Sequence, residues 1–363
     1  MNAPTTETTS TTAPDPQQLE AFLEGVLDDI KGHQAVLMCS LGEHLGLFQA
    51  LADGPASSSE LATRASVDDR YVHEWLSGMT AAGYITYDPT NRTFHLTPEQ
   101  AAVLAGGEGP VALGGLFYET PGMYHVFDAV KDAFRSGGGV PLDAYPAHWW
   151  DGMERFTATW FENFLVQEWI PAADGIDARL RAGAHVADVG CGRGRALVRI
   201  LENYPQVTAV GYDLSETQLQ GARRHADTAG VADRVRFVQR DAAQGLDDTF
   251  DVITTFDAAH DLADPTAVFT SIREALNPGG SYLLLDFKVA DRLEDNIGRN
   301  PTMFYGWSLF YCLTTALAQN GEGLGTCGLP ESEVRARCEK AGFSSVEVVP
   351  FDNPFNVLYQ AKA

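Results

Sequence analysis

The sequence predicts an α/β protein: a doubly wound, seven-stranded sheet with an antiparallel C-terminal strand, preceded by an α-helical winged-helix domain. Three observations carry this. Residues 185–287 alternate short apolar runs with helix-length stretches, the pattern of a parallel sheet with crossover helices. The first of those runs ends in VADVGCGRGR, with glycines at 190, 192 and 194. Upstream, residues 54–100 read as two short helices followed by a small hairpin.

In chain order, residues 1–16 are rich in Thr, Ala and Pro and contain no Lys, Arg or apolar core. They read as a disordered tail, and as neither a signal peptide nor an anchor. Between 17 and 52, Phe22, Val26, Ile30, Leu37, Leu41, Leu45 and Phe48 recur at helical spacing. Ser58 or Ser59 caps a short helix, Val67-Asp68-Asp69 makes a turn, and a second helix carries Tyr71, Trp75, Met79 and Ala82. ITYD and TFHL then flank a Pro-Thr-Asn-Arg turn, so residues 17–100 form a winged-helix unit. From 54 to 100 six acids face three bases, and the second helix opens on two aspartates where a DNA-reading helix needs Arg or Lys. The unit therefore reads as a dimerisation and substrate-lid module. Residues 101–184 look helical and aromatic-rich, a linker and substrate lid. From 185 onward HVADV, VTAVGYD, RVRFVQ, FDVITTF and SYLLLDF are five strands, and SSVEVVPF with FNVLYQAK is an antiparallel hairpin completing the sheet.

Bulk properties narrow the function. A chain of 363 residues with 45% apolar content can bury two cores. The net charge of −24, with no run of five or six basic residues, argues against nucleic acid or an anionic membrane as partner. Five cysteines at 39, 191, 312, 327 and 338 form no C-x-x-C pair. That usage fits reduced thiols in a cytoplasm, not a disulfide framework or a cysteine zinc site. No apolar run approaches the ~20 residues of a membrane span, and no metal site is expected.

The glycine loop points to a ligand. Its spacing is G-x-G-x-G, whereas a dinucleotide fingerprint is G-x-G-x-x-G. Asp188, two residues before the loop, is a poor neighbour for a phosphate and a tolerable one for a cation. Asp213 ends the second strand and can accept from both hydroxyls of a ribose. Asp241 follows the third strand and can accept from the exocyclic amine of adenine. Acids at three strand ends, with only Arg193 and Arg195 poised for phosphate, suit S-adenosylmethionine better than NAD.

VADVGCGRG, GYDLS, RDA, FDVITTFDAAHDLADP and LNPGGSYLLLD resemble the sequential motifs of class I S-adenosylmethionine-dependent methyltransferases. More narrowly, LGLFQALADG, FDAAHDLADP, DRLEDN and the terminal AGF and PFN resemble a bacterial two-domain group with an N-terminal winged helix. The resemblance implies that Asp188, Gly190, Gly192 and Gly194 form the cofactor loop. Asp213 and Leu214 would meet the ribose, Asp241 and Ala242 the adenine, and Phe256 and Asp257 the methionine moiety. It also implies a homodimer formed through the N-terminal domain. By likeness to plant-type O-methyltransferases, His260 is the candidate general base, with a pKa near ~6.5 suited to the task. Asp261 and Asp264 are near enough in sequence to orient its ring. The acceptor pocket is expected between domains, with Phe161, Tyr305 and Trp307 as substrate contacts. An apolar or aromatic small molecule, methylated at O, N or C, is the favoured acceptor. Two rivals stand beside this reading: a non-methylating catalyst that binds the same cofactor, and a ligand-sensing winged-helix regulator.

Overall fold

The computed structural model describes residues 13–363, so most of the expected tail lies outside the described residues. The chain divides into two compact units, the first ending at Ala101 and the second running Ala102–Ala363. Among the described residues, no helix is long and apolar enough to cross a membrane.

The first unit begins with the helix Pro16–His44, whose N-terminal amides at Gln17 and Gln18 are satisfied by the Asp15 side chain. It breaks at Gly46, which adopts φ 67°, and Leu47–Ala52 continues as a second helix. Ser57, rather than Ser58 or Ser59, caps the helix Ser58–Ala65, and Glu60 reaches back to the Ser57 amide in a capping box. Asp68 caps the helix Asp69–Ala81 through the amides of Arg70 and Tyr71. Strands β1 (Thr86–Asp88) and β2 (Thr93–His95) pair antiparallel as the wing. Phe48, Leu61, Trp75, Leu76 and Met79 form the core, with Trp75 Nε1 donating to the Met38 carbonyl at 2.8 Å. Phe48 from the expected helical stripe is buried here, but Phe22, Val26, Ile30, Leu41 and Leu45 are exposed.

The second unit is built on a seven-stranded sheet. Its strands are β3 (His185–Val189), β4 (Thr208–Asp213), β5 (Val235–Gln239), β6 (Phe250–Phe256), β7 (Leu276–Phe287), β8 (Ser345–Val349) and β9 (Asn356–Lys362). Their order is β5-β4-β3-β6-β7-β9-β8. The pairs from β5 through β7 are parallel, while β9 runs antiparallel to both β7 and β8. Strand β7 starts at Leu276, ahead of the apolar run SYLLLDF, because a register shift opposite Phe250 and Val252 takes up the glycine turn. From β3 the chain winds outward to β5, then returns to β6 on the other side. The carboxyl ends of β3 and β6 are thus the switch point where ligands bind in such sheets.

Residues 102–184 are part of this unit and not a separate linker. Trp160, Phe161, Leu165 and Trp169, from the helix Ala147–Trp160 and the π-helical segment Phe161–Trp169, join one core of the sheet. The helix Gly114–Ser136 lies against Ala147–Trp160 at backbone contact. A Cβ on Gly115 would sit 2.4 Å from the Phe156 amide, and one on Gly152 would sit 2.5 Å from the Glu119 amide.

Candidate active site

Glycines 190, 192 and 194 all take positive φ, at 73°, 51° and 72°. Their reasons differ. A Cβ on Gly190 would meet Ala258 at 2.7 Å, and one on Gly194 would meet Ala222 and Phe237 at 2.9 Å, so these two serve close packing. At Gly192 nothing lies within 4 Å, which leaves its face open to a ligand. Asp213 ties the loop to β4: its Oδ2 accepts from the Gly192 amide at 2.9 Å and its Oδ1 from Ser215 at 2.8 Å. A carboxylate so bonded keeps further lone pairs for two hydroxyls. Burial raises the Asp213 pKa, while the amides of Ser215, Gly192 and Leu214 hold it back. Asp188 accepts from the Thr254 hydroxyl at 2.6 Å, and burial pushes its carboxyl up to about 7, with Asp213 adding to the rise. Asp241 caps the turn Ala242–Gln244 through the Ala243 amide at 2.9 Å.

These groups line a cavity of about 360 Å³ together with Leu214, Ala242, Phe256, Asp257 and Phe161. Gly194 lies behind the loop and does not line it. The two cations that a pyrophosphate would need are already committed. Arg193 pairs with Asp151 at 2.7 Å and Glu154 at 2.6 Å, and Arg195 pairs with Glu108 and with Glu162 at 3.7 Å. The residues present thus fit an adenosyl group whose far end is cationic better than a dinucleotide. The whole cavity lies within the second unit, between the sheet edge and helical residues 142–161 and 311–319.

His260 sits on the turn Ala259–Asp261 and is 2% exposed, so it does not itself line the cavity. Its Nδ1 lies 2.7 Å from Asp286 Oδ1, and its Nε2 lies 3.1 Å from Asp261 Oδ1. Asp286, near the end of β7, is 1% exposed, whereas Asp261 has a side chain 24% exposed and lines the cavity. Burial alone would lower the pKa of the ring, but the adjacent Asp261 and Asp286 charges outweigh it and raise it well above the ordinary value. Asp264, expected as an orienter, caps the helix Pro265–Ala275 through Ala267 at 2.9 Å. Asp257, His260 and Asp286 bring one ligating atom each within 4.8 Å of one another, as do His260, Asp261 and Cys312. Because both ring nitrogens face carboxylates, the group is an ion-pair cluster around one imidazolium.

Glu119, which the sequence reading missed, lies behind Asp257. It is 4% exposed and accepts from the Trp307 indole; burial pushes its carboxyl up to about 8, with Asp257 adding to the rise. Trp307 therefore points away from the cavity and packs against Phe156, Phe287 and Phe304. Tyr305 lies in a separate groove with Leu293, Leu309 and Cys327. Of the three expected substrate contacts only Phe161 lines the cavity, 5.8 Å from Phe256 ring to ring; Trp150, Tyr212 and Tyr311 supply the remaining aromatic wall.

The raised acids carry a pH signature. Glu119 (about 8), Asp188 and Asp257 (about 7 each) keep protons in the fold that the unfolded chain has released. Stability of the ligand-free protein therefore falls as pH rises from ~4 to 8. His260 acts in the same direction, its contribution being complete below ~6.5 and lost as pH passes its raised folded value. Glu119→Gln retains an acceptor for Trp307 and should flatten the stability slope between pH 5 and 8 by about 1.4 kcal/mol per pH unit. Denaturant unfolding across that range checks it, and an unaltered slope would clear Glu119 of the effect.

Comparison with known proteins agrees with this geometry. Residues 180–323 match a family described as methyltransferase domain, and residues 34–106 match the Rv2258c-like winged HTH domain. The chain is 28% identical over 173 residues to a ubiquinone biosynthesis O-methyltransferase of Dinoroseobacter shibae, covering 45% of this chain and 64% of that one. It is 26% identical to the N,N-dimethyltransferase OxyT of Streptomyces rimosus, covering 70% of this chain and 75% of that one. The chain spans less than two thirds of the length of the first curated relatives it matches, at 64%, 40% and 35%. Human N-acetylserotonin methyltransferase in complex with S-adenosylmethionine superposes with a TM-score of 0.70 at 16% identity, over 98% of this chain and 99% of that one. The chain thus joins a winged helix-turn-helix domain to a methyltransferase domain, in a fold similar to that of human N-acetylserotonin methyltransferase.

Proposed function

We propose that the protein transfers a methyl group from S-adenosylmethionine to a small-molecule acceptor. The observation that carries this reading is the cavity at the switch point, where Asp213 and the open face of Gly192 meet Asp241 while Arg193 and Arg195 are tied to acids. S-adenosylmethionine is the cofactor; when bound, it supplies an electrophilic methyl on a sulfonium. Asp213 and Leu214 hold its ribose, Asp241 and Ala242 its adenine, and Asp188, Phe256 and Asp257 its methionine end. Phe161 and Phe256 close the wall and exclude water. The acceptor's proton passes to the His260–Asp261 pair, entering at the Asp261 carboxylate. His260 holds that carboxylate in place, and Asp286 holds the ring. Names of relatives that act on oxygen and on nitrogen favour transfer over a non-methylating use of the fold.

The protein works as a homodimer in a cytoplasm. Leu19, Phe22, Leu23, Val26 and Ile30 form an exposed apolar stripe on Pro16–His44, which a second copy of the same helix would cover by two-fold symmetry. All five cysteines are free. Calorimetry with S-adenosylmethionine and mass spectrometry of products from candidate acceptors test the activity. Firm uptake of NAD with no heat from S-adenosylmethionine would end the proposal. Phe22→Glu should halve the mass seen by light scattering and leave cofactor binding unchanged; a monomeric wild type would remove the dimer.

A further inference from the structure

We infer that the acceptor is an amine, entering as its ammonium ion and seated on the Asp261 carboxylate beside the rings of Trp150 and Tyr311. This rests on the methyltransferase reading above and specifies its substrate class.

The first support is unsatisfied chemistry. Asp257 Oδ1 is buried and makes no hydrogen bond, and Asp261 Oδ1 faces the His260 ring Nε2 at 3.1 Å. Each belongs to a residue that lines the cavity. A buried carboxyl oxygen without a partner is costly, so the Asp257 end of the site is built for a ligand that brings a donor. Asp257, Asp261 and Asp286 all lie close to His260, and the imidazolium is the cation they share. The cofactor carries a sulfonium and an ammonium against one carboxylate, a net charge of +1. Its ammonium would satisfy Asp257 at the methionine end and leave Asp261, paired with His260, to face the acceptor's part of the cavity.

The second support is the shape and charge of the remaining wall. Trp150 and Tyr311 line the cavity with Asp261, their rings 5.9 Å apart and nearly perpendicular at 80°. Tyr145 packs against both, at 6.1 and 5.4 Å, which fixes the corner. An aromatic corner beside a carboxylate is a receptor for an organic cation. An anionic acceptor would meet the opposite. Arg193 and Arg195 are held by acids, and Arg240 donates to the Gly245 carbonyl.

The proton balance closes on these groups. The ammonium gives one proton to Asp261, freeing the nitrogen lone pair. That pair forms the N–C bond as the C–S bond breaks and its electrons return to sulfur, leaving a thioether and a methylated ammonium. An alcohol would surrender its proton to the same carboxylate, but without the ion pair that holds the acceptor in the ground state.

The test uses the full-length protein loaded with S-adenosylhomocysteine, which binds without turnover. Three probes share one aromatic body: 2-phenylethylamine, 2-phenylethanol and 3-phenylpropionate. Calorimetry at neutral pH should show the amine binding about 10–100-fold more tightly than the alcohol, with the carboxylate weakest. Asp261→Asn should erase this preference while still binding S-adenosylhomocysteine, and Trp150→Leu should reduce it independently. An alcohol or carboxylate that binds as well as the amine overturns the inference. So does an amine preference that survives both substitutions, or the absence of heat from all three probes at millimolar concentration. If S-adenosylhomocysteine itself gives no heat, the methyltransferase reading fails instead.

Discussion

His260→Ala should slow methyl transfer by about 10²–10⁴-fold, with S-adenosylmethionine affinity nearly intact. The ring sits behind the cavity wall, so its removal takes away no cofactor contact. What it takes away is the cation between Asp261 and Asp286. The pocket-facing carboxylate then loses the partner that fixes its position and balances its charge. Asp286, buried and left without its cation, also costs stability, by about 3–5 kcal/mol, so rates must be measured well below the unfolding transition. Asp286→Asn separates positioning from folding. It keeps an acceptor for Nδ1–H but removes one of the two charges that hold the imidazole pKa high. The imidazolium should then deprotonate at lower pH than in the wild type, and the alkaline limb of the kcat/KM profile should move with it. Single-turnover rates against pH check both variants. Unchanged turnover in His260→Ala would leave the ring a structural group only.

The legible parts of the site were those that local spacing encodes. Gly190, Gly192 and Gly194 mark a loop by their number and position, and Asp213 and Asp241 mark strand ends because the apolar runs stop there. Asp286 was not found, because the partner of His260 lies 26 residues away and reaches it through the pairing of β6 with β7. The available sign was an acid near the end of the otherwise apolar run SYLLLDF. Glu119 was invisible for a similar reason, since its burial follows from backbone contact at Gly115 and Gly152. The exchange of Trp307 for Tyr311 has a local cause. Four residues apart on an α-helix they would share a face, but Ser308–Cys312 is a π-helical turn, which changes the angular offset between them. Trp307 therefore enters the core with Phe287 and Phe304, while Tyr311 meets the cavity. On Pro16–His44 the spacing named the helix correctly and said nothing of what covers Phe22 or Ile30, because periodicity reports a face and not its partner.

Asp213→Ala should weaken S-adenosylmethionine binding by about 10²–10⁴-fold, because two hydrogen bonds to a charged group, at about 1.5–3 kcal/mol each, are lost together. The carboxylate has two duties in one place. It pins Gly192 and Ser215 through their amides, and its remaining lone pairs are set for the ribose hydroxyls. Loss of the first duty frees the loop at the residue whose open face the ligand needs. Asp213→Asn cannot replace it, since a single amide oxygen must serve two backbone donors while the NH₂ group faces one of them. A ligand pair separates the duties: adenosine and 2′-deoxyadenosine, titrated into wild type and variant. If the carboxylate binds the hydroxyls, the wild type prefers adenosine and Asp213→Ala does not. Equal loss for both nucleosides would mean that Asp213 acts on the loop alone, and that ribose recognition resides elsewhere in the cavity.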